Sequence, residues 1–456
     1  MPEQKFETTS STECSLEDFP ASQTEPAATT FDPEKATSRT SPAAGPSPND
    51  FPDGGWEAWL VVFGGFCSIF ASLGWINCIG IFQDYYLTHQ LSSYSASNVA
   101  WIPSTESFMM FFCAPLVGKA TDQWGPRIPM AIGSFLHIFG LMMTSLSSKY
   151  YQFFLAQSIF SAMGCSFLFY PPMTACATWF LRHRALAIGI MVTGSSVGGV
   201  VLPIMVNRLV NHLGFGWTMR SLAFLLLGVV FVANLTVKSR LPPLKRPFLL
   251  KDFLESYKEP EFLLLTIGAW FAYTGGFLPF TFIVVQARAQ GMSDSLAGYL
   301  VSILNAASTF GRVLPAWYGD KYGVFNIMIL LTTLGAISNL TLWLPSTTLA
   351  AGSTNALIIV FTVLYGFASG CYFSILPATV AQISDVRKLG VRTGSLYVVA
   401  STGVLFGSPI AGVIASGRGN GFLGLTLFSG LTLLVAVGFV MLSRFKQVGF
   451  KLLVKC

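Results

Sequence analysis

The chain has 456 residues, of which 52% are hydrophobic and 11% are charged. An average soluble domain carries about 25% charged residues, and this chain also contains 40 Phe and 43 Gly, residue types that are frequent in membrane-embedded helices. The composition therefore excludes a disulfide scaffold, a disordered regulator and an ordinary cytosolic enzyme, and it predicts a polytopic membrane protein.

The first 52 residues differ in composition from the rest of the chain. They are rich in Ser, Thr, Pro and Glu and hold few large apolar residues, so they cannot bury enough surface to offset the entropy of ordering. Of the 21 acidic residues, 11 lie within the first 58 positions. We predict a disordered cytoplasmic tail over 1–52, with no cleaved signal peptide because no basic segment precedes an apolar one there.

From position 59 onward, apolar runs long enough to cross a bilayer alternate with short polar gaps. Twelve such runs are predicted, at 59–82, 98–118, 128–147, 150–173, 186–207, 217–237, 262–285, 296–317, 325–344, 356–380, 393–416 and 421–442. The predicted fold class is an all-α membrane protein with twelve transmembrane helices in two pseudo-symmetric six-helix halves. The halves are 53–237 and 262–445, joined by a basic linker over 238–261 and followed by a cytoplasmic tail over 446–456.

Lys and Arg residues are unevenly divided between the alternating loops. With the N-terminal tail placed on the inner side and its own bases left out of the count, 18 of them lie in the inner segments and five in the outer loops and their helix ends. Because positive charge marks cytoplasmic loops, both termini are predicted to be cytoplasmic. We expect a multi-pass protein of the cell membrane.

Three motifs recur in the same order in both halves. The pattern G-C-x-F-x-x-x-P occurs at 164–171 and at 370–377, and a D-x-x-G turn begins at Asp122 and again at Asp320. A spaced glycine pair also recurs in the fifth helix of each half. The pairs are Gly194 with Gly198 and Gly403 with Gly407. Parallel six-helix repeats of this kind are one plan of secondary transporters.

The loop after the second helix has the sequence G-K-A-T-D-Q-W-G-P-R at 118–127. Its pattern, G-x-x-x-D-x-x-G-x-R, resembles the signature loop of the major facilitator superfamily. Two glycines permit a sharp turn, and the Asp can reach the N-terminus of a neighbouring helix or a base. We predict a conformational latch that holds the outward-facing state, with an ordinary tight turn as the alternative. The latch residues are Gly118, Asp122, Gly125, Arg127 and Asp320.

Two further segments resemble the monocarboxylate-transporter-like branch of that superfamily, and its fungal members in particular. The sequence D-G-G-W-E-A-W at 53–59 resembles the branch's D-G-G-W-G-W entry to helix 1. The sequence W-F-L-R-H-R-A-L-A-I-G at 179–189 resembles its F-x-x-R-R-x-x-A-x-G entry to helix 5. The resemblance covers about residues 53 to 445 and implies a secondary transporter that works by alternating access.

The same resemblance exposes two departures. Animal carriers of the branch have a Lys in helix 1 that engages the carboxylate, and this chain has Asn77 at about that place. They also have an Asp one turn before an Arg in helix 8, where this chain has Ser308 before Arg312. The anion-binding Arg is retained and the proton-handling Asp is missing, which favours an organic anion but not lactate-type proton-coupled transport.

Three ionisable residues lie deep within predicted spans: Glu106, His137 and Arg312. A charge at mid-bilayer costs about 2.5–3.5 kcal/mol on insertion scales, so each is a functional candidate. Arg312 can bind a carboxylate through two parallel hydrogen bonds, with a structural ion pair as the alternative. Glu106 is the candidate for proton coupling, with a helix–helix hydrogen bond as the alternative. His137 is interpreted as a packed interior histidine.

Four further residues are candidates to line the substrate path: Asn77, Asn305, Tyr365 and Tyr372. The two tyrosines are one heptad apart and share a helix face. Together with Arg312 they form the predicted substrate site. Helix packing is the alternative for residues of this kind.

The predicted function is transport of a small organic solute, a carboxylate or related metabolite, by alternating access, with proton symport as one form of coupling. Export of a secondary metabolite is one alternative, and a non-transporting nutrient sensor on a transporter fold is another. The sequence has no P-loop, HExxH or GxSxG motif, so it predicts neither an enzyme nor a cofactor or metal. The expected partners are an organic anion, protons and the lipid bilayer, and not nucleic acid.

Overall fold

The computed structural model describes residues 51–242, 250–349, 354–385, 388–415 and 421–449. Within these ranges the chain is helical and contains no β-strand, which confirms the predicted all-α membrane fold class. Most of the predicted N-terminal tail (1–50), part of the predicted linker (243–249) and the last residues (450–456) lie outside the described residues.

The predicted first half consists of nine helices and one π-helical stretch, Phe154–Ser161, between the seventh and the eighth helix. The helices are α1 Trp56–Ala71, α2 Leu73–Ile76, α3 Ile79–Thr88, α4 Ala96–Phe112, α5 Ala114–Trp124, α6 Arg127–Thr144, α7 Tyr150–Phe153, α8 Ala162–Ala177 and α9 Arg184–Thr236. Short breaks rather than loops separate α1, α2 and α3, and likewise α4 and α5, so each group forms one interrupted rod.

The predicted linker and second half contain the remaining helices, with a second π-helical stretch at Asn339–Trp343. They are α10 Leu250–Ser256, α11 Pro260–Gly276, α12 Leu278–Ala289, α13 Asp294–Tyr322, α14 Val324–Ser338, α15 Leu344–Ser346, α16 Asn355–Gln382, α17 Leu389–Ala415 and α18 Gly421–Val448. Here α11 and α12 form an interrupted rod, as α1 to α3 do in the first half.

Nine helical stretches among the described residues are long and apolar enough to cross a bilayer. The longest, Arg184–Thr236, loses helical geometry at Gly214 (φ 73°) and covers two predicted spans, 186–207 and 217–237. Two further predicted spans, 98–118 and 296–317, fall on α4–α5 and on α13. The count of twelve spans and the boundaries of the halves remain predictions.

The repeated glycines allow the fifth helix of each half to pack against the first. A Cβ at Gly194 of α9 would lie 2.2 Å from the carbonyl oxygen of Phe66 in α1. In the second half, a Cβ at Gly407 of α17 would lie 2.5 Å from the carbonyl oxygen of Thr274 in α11. Only residues without a Cβ permit such close backbone approach, which is how helices associate where lipid removes the hydrophobic driving force.

We expect Gly194→Ala to destabilise the first half by about 1–3 kcal/mol, because its methyl group would overlap the Phe66 backbone and force the helices apart. Gly228→Ala is the matched control, since no atom lies within 4 Å of a Cβ at that position in α9. Thermal unfolding of the purified proteins measures the difference. Equal stability of the two variants would contradict the close contact.

Candidate functional site

Two interrupted rods place irregular backbone at matching points of the two halves. The helix ends at Ile76 and resumes at Ile79 in the first half, and it ends at Gly276 and resumes at Leu278 in the second. Discontinuous helices in transporters present unpaired backbone groups and side chains to a central path. The predicted substrate residues Asn77, Tyr365 and Tyr372 all lie at or against these two breaks.

An amide pair joins the two halves at the first break. The Nδ2 atom of Asn77 donates to the carbonyl oxygen of Ser195 at 3.0 Å and lies 3.4 Å from Oδ1 of Asn305 in α13. A Cβ at Gly199 of α9 would lie 2.7 Å from Nδ2 of Asn77 and 2.8 Å from Cγ of Asn305. The absence of a side chain at Gly199 therefore leaves the space that both amides occupy.

Arg312 of α13 also reaches across to α9. Its Nη1 donates to the carbonyl oxygen of Val192 at 2.6 Å and contacts the hydroxyl of Ser195. The side chain is buried, and the described residues give it no acidic partner and leave its Nε without a hydrogen bond. The structural ion pair considered for Arg312 thus has no acidic member among these residues.

The two predicted tyrosines lie together at the second break. The hydroxyl of Tyr365 donates to the carbonyl oxygen of Gly276 at 2.8 Å, and the hydroxyl of Tyr372 lies 3.4 Å from that of Tyr365. Both side chains are buried. The structure therefore groups the predicted residues in two places: Asn77, Asn305 and Arg312 meet around α9, whereas the tyrosines meet the break between α11 and α12.

A layer of aromatic rings crosses the other contact between the halves. Phe111 of α4 stacks on Tyr397 of α17 with centroids 5.6 Å apart, and Tyr397 meets Tyr170 of α8 at 5.2 Å. Tyr273 of α11 lies 5.3 Å from Phe111 and 5.2 Å from Phe373 of α16. The predicted substrate site did not include these residues, because nothing in the sequence distinguishes them from the many other aromatic residues of the chain.

Glu106 lies inside the first half and not between the halves. Its Oε1 accepts a hydrogen bond from Nε1 of Trp75 at 2.7 Å, and its Oε2 accepts one from Nε2 of Gln157 at 2.8 Å. These contacts correspond to the helix–helix hydrogen bonds that were the alternative for Glu106. They do not themselves test proton coupling.

Asp122 and Asp320, which the sequence placed in loops, lie in the last turns of α5 and α13, and each caps a helix of the opposite half. Oδ1 and Oδ2 of Asp320 accept hydrogen bonds from the backbone N–H groups of Ala185 at 3.0 Å and Leu186 at 2.9 Å, in the first turn of α9. Asp122 accepts one from the backbone N–H of Val391, in the first turn of α17. The first N–H groups of a helix have no partner within it and attract negative charge. We call this end of the bundle the latch end.

The other predicted latch residues have distinct places. A Cβ at Gly118 would lie 2.4 Å from the carbonyl oxygen of Gly390, so this glycine lets α5 meet the start of α17. Gly125 ends α5 with a φ of 75°, a conformation that glycine adopts without strain. Arg127 begins α6 with an exposed side chain.

Sequence reasoning did not assign a contact to Asp53, which precedes α1. Its Oδ1 accepts hydrogen bonds from the backbone N–H groups of Leu181 at 2.6 Å and Arg182 at 2.7 Å, in the loop before α9. The guanidinium of Arg184 lies 6.0 Å from the ring centre of Phe51. The two segments that carry the branch resemblance are therefore in contact, and together they hold the loop that precedes the helix capped by Asp320.

The profile of the Major Facilitator Superfamily matches residues 64–350 and 265–452. The chain belongs to this superfamily. The match confirms the assignment that the loop at 118–127 predicted. Among solved structures, the crystal structure of the superfamily transporter FucP in the outward conformation aligns with a TM-score of 0.64 and 14% identity, over 84% of this chain and 98% of that one. At this identity the likeness shows the fold alone.

Three fungal proteins of the superfamily are similar over most of their length. The MFS transporter asaE of Aspergillus flavus is 45% identical over 416 residues, which are 91% of this chain and 93% of that protein. The Fujikurins efflux protein of Gibberella fujikuroi is 40% identical over 86% and 83%. The Aspyridones efflux protein apdF of Emericella nidulans is 39% identical over 85% and 78%. The monocarboxylate-transporter-like branch remains a prediction.

For this superfamily member we expect Asp320→Ala to favour opening at the latch end, because the N-terminus of α9 loses its cap. Loss of an N-cap costs about 0.5–2 kcal/mol, or about two- to thirty-fold in population. A cysteine at Ala316→Cys reports opening, since Ala316 is fully buried against Gly189. Alkylation of this cysteine should be faster in Asp320→Ala than in the chain with Asp320. The increase should be smaller in Asp320→Asn, because asparagine keeps an acceptor oxygen. Unchanged alkylation at unchanged stability would contradict the latch.

The latch should also respond to pH through Asp122, which lies beyond the predicted span 98–118. Burial raises the pKa of Asp122 to about 7, although Lys119 and the N–H of Val391 lower it. Opening would hydrate Asp122 and return its pKa towards about 3.9. The closed state then binds the proton more tightly, so closure is favoured as pH falls below about 7 and weakened as pH rises through 7.

The same Ala316→Cys reporter tests this pH dependence. Relative to Asp122→Asn, the chain with Asp122 should be alkylated progressively more slowly as the pH is lowered from about 8 to about 5. The ratio between the two removes the titration of the reporter thiol itself. A ratio that does not vary with pH would show that Asp122 does not contribute to closure in this way.

Proposed function

We propose that this transporter exports an organic metabolite that carries an acidic group, by alternating access between its two halves. Two relatives are named as efflux proteins, for fujikurins and for aspyridones, and this supports export over uptake. The proposal that the substrate has an acidic group rests on the buried guanidinium of Arg312. This guanidinium lies between the halves without an acidic partner among the described residues.

A buried cation without a counter-ion is costly, and neutral acceptors offset only part of that cost. Arg312 has a backbone carbonyl and a hydroxyl as its acceptors, and its Nε is unpaired among the described residues. A carboxylate or an acidic enol would supply the missing charge and accept two parallel hydrogen bonds from the guanidinium. This side chain is thus suited to an anionic ligand.

The surroundings of Arg312 fit a ligand with an apolar body. The amides of Asn77 and Asn305 lie on the same contact between the halves. The aromatic layer around Phe111 and Tyr397 lies on the other contact. When the halves separate at the latch end, these rings would be exposed to the path and could stack on a planar part of the metabolite.

The contacts of Arg312 suggest an order of events for export. With both termini cytoplasmic, as the loop charges predict, the latch end faces the cytoplasm, and this end is closed in the described structure. In this state the guanidinium is bound by Val192 and Ser195 of the opposite half. An anion would compete for the same N–H groups, so closure of the latch end weakens anion binding and favours release to the outside.

The test compares a gene deletion with complementation by Arg312 variants at equal membrane abundance, in the organism that carries the gene. We expect deletion and Arg312→Ala to retain an acidic metabolite inside the cells. Arg312→Lys keeps the charge but loses the paired geometry, which we expect to cost about 1–3 kcal/mol of binding. Mass spectrometry of cells and medium measures the distribution.

Arg220→Ala is the matched control, because Arg220 also donates to a serine hydroxyl, that of Ser145 at 3.2 Å, but within one half. It should export normally. If Arg312→Ala restores the distribution as fully as the unmodified gene, Arg312 is structural and the acidic substrate is wrong. If deletion lowers the metabolite inside the cells instead, the direction is uptake.

A further inference from the structure

The carboxylate of Glu106 is fully buried inside the first half and has two hydrogen-bond donors. Trp75 of α2 donates to one oxygen and Gln157, in the π-helical stretch Phe154–Ser161, donates to the other. The described residues supply no Lys, Arg or His within hydrogen-bonding distance of it. An isolated carboxylate in such a place is costly unless it can take up a proton.

The hydrogen-bond chain continues beyond Gln157. The hydroxyl of Tyr86 in α3 donates to Oε1 of Gln157 at 2.6 Å, and both side chains are buried. Glu106, Gln157 and Tyr86 therefore form one chain, in which each hydrogen bond points towards the carboxylate. This direction suits the ionised form of Glu106, which can only accept.

The same chain of hydrogen bonds can accommodate the protonated form of Glu106. A protonated Glu106 needs an acceptor for its O–H group, and the indole of Trp75 is a donor only. A half-turn of the terminal amide of Gln157 would present its oxygen to Glu106 and its NH₂ group to the oxygen of Tyr86. The hydroxyl hydrogen of Tyr86 then rotates away. Either form of Glu106 thus keeps its hydrogen bonds without movement of the helices.

We propose that Glu106, Gln157 and Tyr86 form a proton-binding site, in which the amide of Gln157 reverses when Glu106 gains or loses its proton. The ligand is a proton, and the site lies apart from Arg312. Proton binding does not depend on the proposed export; only its use as a coupling ion rests on that function.

The other titratable groups around the site contact atoms other than those of Glu106. His137 of α6 has Nδ1 2.9 Å from Oγ of Ser161 and 3.3 Å from Sγ of Cys165, and its ring meets that of Trp75 edge-on at 6.0 Å. The thiol of Cys78 is directed at the carbonyl oxygen of Gly74. Among the described residues, the hydrogen-bond partners of Glu106 are Trp75 and Gln157, and neither of these side chains titrates.

The site is connected to the contact between the halves through α2. Trp75, which holds one oxygen of Glu106, lies two residues before Asn77, whose amide contacts Asn305 of the second half. The four residues of α2 are separated from α1 and α3 by breaks at both ends. A change at Glu106 can therefore shift this short segment, and with it Asn77, without moving a whole helix.

Infrared difference spectroscopy of the purified full chain in lipid nanodiscs, between acidic and neutral pH, tests proton binding without a substrate. We expect the carbonyl band of a buried carboxylic acid to appear when the sample is acidified. All variants carry Asp122→Asn, because the carboxyl of Asp122 would contribute a band of its own over the same pH range. In this background the band should be lost in Glu106→Gln and kept in the control variant His137→Gln. Tyr86→Phe removes the hydroxyl that ends the hydrogen-bond chain, and it should shift the position or the pH midpoint of the band.

A second measurement covers the case in which Glu106→Gln does not fold. Carbon-13 labelling of glutamate should shift the band in the Asp122→Asn chain, and Glu106 is the only glutamate within the predicted spans. In the Asp122→Asn background, a band that persists in Glu106→Gln or is unmoved by the label, or no such band at any pH, would overturn the proposal. Failure of the export test would leave this band in place, so the two proposals fail separately.

Discussion

The first backbone N–H groups of α9 and α17, which have no partner within their own helices, tie the two halves together at one end. A helix cannot satisfy its own first N–H groups. In each case the acceptor is an aspartate in the last turn of a helix of the other half, Asp320 for α9 and Asp122 for α17. Each half therefore completes a helix of its counterpart. Separation of the halves at this end must expose both helix starts and both carboxylates together. The two capping contacts are therefore expected to form and break together.

The same two helices also carry the closest contacts within each half. The repeated glycines of α9 and α17 bring them against α1 and α11, so a movement of either helix is passed to an interrupted rod. The breaks at Asn77 and Phe277 lie on those rods. Helices that meet through small residues and backbone atoms can slide or rock against each other as rigid units. Packed interfaces of this kind prefer discrete arrangements to continuous deformation.

The sequence predicted the fold class and the superfamily, but it did not predict the contacts that most of the candidate site residues make. Apolar runs and loop charge are local properties, and they sufficed for an all-helical membrane protein. The D-x-x-G loops predicted that Asp122 would meet a helix N-terminus or a base. They could not predict that the helix belongs to the other half, because no local pattern encodes which helices are neighbours.

The acceptors of Arg312 show the same limit. A backbone carbonyl such as that of Val192 has no signature in the sequence, and Ser195 is one of many serines. The donors to Glu106 depend on how α2 and the π-helical stretch are rotated about their axes, which a hydropathy pattern does not fix. Asp53 was noticed as part of a motif, but its contact with the loop before α9 needed the tertiary structure.

The opposite charges of Glu106 and Arg312 are kept apart, and this separation has a physical consequence. A direct ion pair between them would satisfy both charges permanently and would bind the halves together whatever else was present. Glu106 instead lies within the first half, and Arg312 extends from the second half to a carbonyl and a hydroxyl of the first. Each of the two groups is therefore hydrogen-bonded but has no ion-pair partner among the described residues. A charge in that condition gains most from a mobile partner of opposite sign, a proton for the acid and an anion for the base, and its burial makes that gain large. The free energy that such an ion pair would have contributed to a single arrangement is left available to ligands, as the proposed alternating access requires.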